Sequence, residues 1–157
     1  MTRYSHRSAG RQGGASAVEL ALILPILVAM LGAPLTLAVY YWHYTAVQKA
    51  SHDAARFLST VPEAELRNPT LALAARAIAT DIIQAELSEL GSRGNDAKLT
   101  FLCGQVNQCD GLGEQATPQT ITVGIQFEFR DTIFNKIDTG RYGWTIMGVA
   151  TVRYAGK

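Results

Sequence analysis

The stretch GGASAVELALILPILVAMLGAPLTLAVYYW, from Gly13 to Trp42, decides the architecture of this chain. Between Ala15 and Tyr41 its only charged side chain is Glu19, and Leu20 to Tyr41 is almost wholly apolar. A bilayer core needs roughly 20 such residues in a helix, so residues 15–42 read as a transmembrane helix. Pro25 and Pro34 would break that helix in water. In a membrane, neighbouring helices and local backbone adjustment tolerate them, so the expected helix is bent. Tyr40, Tyr41, Trp42 and Tyr44 cluster where the run ends, as an interfacial aromatic belt does.

Charge orients the span. Arg3, Arg7 and Arg11 precede it without any Asp or Glu among them, and Lys49 is the first positive residue after it. The positive-inside bias keeps residues 1–14, a polar leader, in the cytoplasm and sends the rest across the membrane. Those arginines outweigh the whole chain's net charge of +1, leaving a net negative remainder. Such a remainder offers no basic surface for nucleic acid. Cys103 and Cys109 both fall on the outer side, where disulfides persist. Their spacing closes a short loop, CGQVNQC, and is not a C-x-x-C redox site. A structural disulfide is expected, the alternative being a pair of inert thiols.

Helical character continues from residue 43 to 60, where Ala46, Ala50, Ala54 and Phe57 recur at helical spacing and Pro62 follows. From Ala15 to Ser59 such a helix would rise roughly 65 Å, twice the membrane core, so its outer half must pack on something. The remaining residues, 61–157, read as a small α+β domain. Asn68 and Pro69 open a second, amphipathic helix and Gly91 can stop it. Leu71, Ala75, Ile78 and Ile82 are expected as its core-facing stripe, widened by Ile83, Leu87 and Leu90. Leu99, Phe101 and Cys103 share one face of a short strand. Ile121, Val123, Ile125, Phe127 and Phe129 alternate with polar residues or glycine in the clearest strand, and Trp144 to Tyr154 gives a third. Residues 104–118 and 131–143 read as loops. The expected fold is α+β: a long N-terminal transmembrane helix, an amphipathic helix and a small antiparallel sheet.

The string GGASAVELALILP, Gly13 to Pro25, carries the functional reading. A basic leader ends in glycine, a small residue follows, and a lone glutamate stands five residues past Gly14 inside an apolar helix. This resembles the processing site of type IV prepilins, and more closely the TadE-like proteins of tight-adherence (Tad, or Flp) pilus systems. Gly14, Ala17, Val18, Glu19, Ala21, Leu22 and Pro25 match that pattern, while Leu20 stands where an aromatic residue is frequent. Past the span, Tyr40, Tyr41, Gln48, Ala50, Asp53, Ala54, Ala55 and Arg56 resemble the family's aromatic-then-A-R-x-A-A-R segment, with Ser51-His52 in place of its first basic residue. A chain with its own folded domain resembles the minor pseudopilins and not the much shorter major pilin.

The resemblance implies cleavage between Gly14 and Ala15 by a prepilin peptidase of the inner membrane. It also implies partners among other pilin and pseudopilin subunits and the pilus assembly platform, with Glu19 acting in assembly. It implies no cofactor and no metal. A plain, unprocessed single-pass anchor carrying a periplasmic binding module shares the topology but gives Gly14 and Glu19 no role. A secretory signal peptide would have a shorter apolar core than this one, with Leu31-Gly32-Ala33 as a weak cleavage site. An enzyme is the weakest class. His43 and His52 fall on opposite sides of a helix, no Ser-His-Asp order, H-E-x-x-H or P-loop is present, and Asn107, Asp110 and Glu114 fit no recognised calcium spacing.

Overall fold

Helix α1 runs without interruption from Gly13 to Thr60, through both Pro25 and Pro34. The computed structural model describes residues 13–90, 97–104, 106–107, 109–113, 117–129 and 144–156. The leader up to residue 12, Gly91 and the 131–143 connection therefore lie outside the described residues. The chain divides inside α1 into two units, Met1–Leu37 and Ala38–Lys157.

In the first unit, the described large apolar side chains stand exposed on every side of the helix, from Val18 at 63% to Leu37 at 48%. A helix apolar all round is a membrane span or a core helix, and among the described residues of this unit none covers it as a core would. The Thr36 hydroxyl donates to the Gly32 carbonyl oxygen one turn back at 2.7 Å, so this polar group is satisfied within the helix.

The second unit is built on the other half of α1. Val47, Ala50, Ser51, Ala54, Ala55, Leu58 and Ser59 are buried there, a stripe at helical spacing rich in small residues. Ser51 and Ser59 donate to the carbonyl oxygens of Gln48 and Arg56, which removes the cost of burying their hydroxyls. After Pro62 comes a short helix, α2 (Glu63–Arg67), which sequence periodicity had not marked. Helix α3 (Pro69–Ser88) is capped by Asn68, whose side chain accepts from the Thr70 amide, with Pro69 in the first turn.

The buried face of α3 corrects the expected one. Ala72, Ala75, Ala79, Ile83 and Leu87 face the core, whereas Leu71 and Ile78 are about half exposed and Ile82 only partly covered. Ala75, Ile83 and Leu87 were rightly placed. The alanines win the inner face because their small side chains permit close backbone approach, and larger residues at those positions would hold the helix off the core.

The strands are β1 (Lys98–Cys103), β2 (Val106–Asn107), β3 (Thr120–Phe129) and β4 (Trp144–Arg153). They form one antiparallel sheet of order β2-β1-β3-β4. The two-residue β2 lies in what was read as loop, too short to show any alternation of its own. Phe101 and Cys103 in β1, then Ile121, Val123, Ile125, Phe127 and Phe129 in β3, all turn inward as the alternation implied. With Ile146 and Ala150 of β4 they join the buried residues of α1 and α3 in a single core.

Candidate functional site

Gly14 and Glu19 are both exposed on α1. Gly14 lies in the first turn of α1, and a Cβ built on it would meet nothing within 4 Å. Glu19 is exposed on the same helix, and among the described residues it makes no ion pair. Ala15 and Glu19 are four residues apart and therefore on one helical face. The helix from Ser16 onward is long and apolar enough to cross a membrane, with a mean hydropathy of 2.4 in its best window. What the segment presents is a lone carboxylate and a sterically open glycine at the start of an uncovered apolar rod.

The cysteines are joined. Cys103 and Cys109 form a disulfide with their Cα atoms 5.2 Å apart, and Cys109 takes a left-handed backbone conformation at φ 45°. The bridge fixes the start of a segment that the helices then hold. Arg76 of α3 bonds Asp110 and lies over the Phe101 ring at 5.3 Å, the Leu112 amide donates to the Leu66 carbonyl oxygen, and Arg67 donates to that of Gly113. Asp110 is thereby engaged by arginine. Glu114, the third residue weighed for calcium, lies outside the described residues. Among the described residues no group of three His, Cys, Asp or Glu is placed to hold a metal.

The histidines are not brought together. His43 donates from Nδ1 to the Val39 carbonyl oxygen at 2.7 Å and stacks on Phe127 at 5.9 Å between centroids, while His52 is exposed. Glu63 is the carboxylate most strongly tied down. The Thr117 hydroxyl at 2.6 Å and the Arg67 guanidinium at 2.6 and 2.9 Å hold its pKa below the usual range. This grouping links α2 to the chain entering β3.

Residues 14–56 match the model of a family described as TadE-like protein. That segment is TadE-like. It takes in Gly14, Glu19, the apolar helix and most of the buried stripe of α1 up to Arg56. No curated protein and no solved structure matches the chain. The aromatic cluster around Tyr40 was foreseen only in part. Its strand partners Phe129 and Trp144 are far away in sequence, and no local signal could have joined them to it.

Proposed function

We propose that this chain is a minor pilin, or pseudopilin, that takes part in assembling a Tad/Flp-type pilus for surface adherence. It is made as a precursor, inserted by residues 15–42 into the bacterial inner membrane, with residues 1–14 cytoplasmic and the domain periplasmic. A prepilin peptidase cleaves it after Gly14. The observation that carries this reading is the TadE-like match over 14–56, laid on the apolar helix with Glu19 five residues past Gly14.

Physical chemistry supplies the role of Glu19. Cleavage creates an α-amino group at Ala15, with an ordinary pKa of about 7.7–8.0, one helical turn from the carboxylate. An ionised carboxylate in or near the bilayer is costly unless paired. Its partner is this amine or that of a neighbouring subunit shifted along the helix axis, and the pairing sets helix register as the subunit joins the platform. The open space around Gly14 is compatible with a peptidase reaching the bond.

N-terminal sequencing of the protein extracted from membranes tests the proposal. A start at Ala15 is expected. A start at Met1 would favour an unprocessed anchored binding module, and one near Pro34 a cleaved signal peptide.

A further inference from the structure

The sheet is held against α1 by contacts spaced along the helix. Tyr40 meets the rings of Phe129 and Trp144 edge-on, at 5.5 and 5.6 Å between centroids. Phe129 and Trp144 are themselves the last register pair of the β3–β4 ladder. Further along, the Val47 backbone lies against Gly148. At the far end Ser59 accepts from the amides of Ala155 and Gly156, both at 2.9 Å. Strand β4 therefore runs beside α1 in the same direction. From Tyr40 to Ser59 the helix rises roughly 28 Å, and from Trp144 to Ala155 an extended chain covers roughly 36 Å. The strand is the longer of the two, and it is the Tyr40–Trp144 contact that sets the start of the sheet at the level of Tyr40.

Among the described residues that end of the unit is aromatic: Tyr41 and Trp42 are more than half exposed, and Trp144 is 43% exposed. Tyrosine and tryptophan have an apolar body and a polar tip, and they concentrate at the headgroup level of a bilayer. Tyr40 to Trp42 terminate the apolar run, so the bilayer reaches them; Trp144, packed on Tyr40, is then at the same depth. We infer that the folded unit rests directly on the membrane that holds its helix, with Trp144 and the adjoining end of the β3–β4 ladder as a second contact beside Trp42. The inference rests on the proposed span. Its occupant is the lipid surface, because the patch is continuous with the aromatic end of that span. Glu128, exposed one residue before Phe129, offers no attraction to an anionic surface, so the contact inferred is burial of aromatic surface.

The chain contains two tryptophans, Trp42 and Trp144, both at this end, which makes the test direct. The full chain is reconstituted in phosphatidylcholine vesicles carrying a nitroxide either near the headgroup or at the acyl terminus. Trp42→Phe leaves Trp144 as the only tryptophan, and Trp144→Phe leaves Trp42. Trp42 is exposed, so its replacement disturbs little packing. The headgroup-proximal nitroxide is expected to quench Trp144 to within about twofold of Trp42, and the deep nitroxide to quench both weakly, as interfacial residues require. If Trp144 ignores both nitroxides and is open to aqueous iodide while Trp42 is quenched, the unit stands off the bilayer and the inference is wrong, though the span survives. If Trp144 is shielded from iodide yet ignores the nitroxides, protein covers it instead, and the inference is equally wrong. If neither tryptophan responds to nitroxide lipid, the span itself fails and the inference with it.

Discussion

Gly148 of β4 lies against the backbone of Val47 in α1: a Cβ built on the glycine would come within 2.7 Å of Val47 Cγ1 and 2.8 Å of its carbonyl oxygen. A methyl group cannot fit there while the helix stays in place, because the obstacle includes main chain. Gly148→Ala is expected to lower stability by about 1–3 kcal/mol, the range for overpacking a filled core. Gly148→Val should cost more. Gly124, whose Cβ would meet Thr100 only at 3.7 Å and beyond, is the control and should accept alanine with little change. Urea unfolding of the reconstituted protein measures all three.

The rotation of α3 gives a paired prediction. Ile83 is fully buried and Ile78 about half exposed, although both belong to the apolar pattern of the same helix. Ile83→Ala should cost about 2–4 kcal/mol, whereas Ile78→Ala should stay within about 0.5 kcal/mol of wild type, as exposed positions do. Equal losses at the two positions would mean that the face expected from periodicity is the buried one after all.

Alkaline pH should release the C-terminal segment. Tyr154 donates its hydroxyl to the Val61 carbonyl oxygen at 2.7 Å, and burial, with nearby Glu63 adding to it, pushes its pKa above the ordinary 10.0. A group whose folded pKa is raised contributes stability that is complete below its unfolded pKa and lost as pH rises through the folded one. Unfolding midpoints should therefore fall as pH climbs past about 10. Lys49, raised by its bond to Glu86, changes in the same direction, so the Tyr154 share is read as the difference from Tyr154→Phe. That variant should be about 1 kcal/mol less stable at neutral pH, for the lost hydrogen bond, and less sensitive to alkali.

Gly14 and Glu19 should separate processing from assembly. Gly14→Val is expected to leave an inserted, full-length precursor, because a branched side chain replaces a residue with nothing within 4 Å of its Cβ position and blocks the peptidase, not the fold. Glu19→Ala should be cleaved normally and yet fail to co-purify with pilus components. Anti-tag blots with a pull-down read both. Assembly of Glu19→Ala at the wild-type level would reduce the glutamate to an interfacial charge.

By itself the sequence determined whatever depends on neighbours along the chain. The apolar run through Tyr41 is a matter of composition, the Asn68-Pro69 start of α3 is a local hydrogen bond to Thr70, and the inward face of β3 follows from strict alternation between Ile121 and Phe129. The TadE-like character was legible for the same reason, since Gly14 to Pro25 is one uninterrupted string. Tertiary structure decided what depends on approach between distant segments. Alanine and leucine are both apolar, so the pattern of α3 could not say that Ala72 and Ala79 face the core while Leu71 and Ile78 do not; the distance between packed backbones chose the smaller side chains. Strand β2 exists only because β1 offers it a pairing edge. The need for glycine at 148 comes from Val47, about 100 residues away in the sequence. Trp144 likewise became part of the aromatic end of α1 only when the β3–β4 ladder brought it to Tyr40, a placement set by strand register and core packing, on which no short stretch of sequence bears.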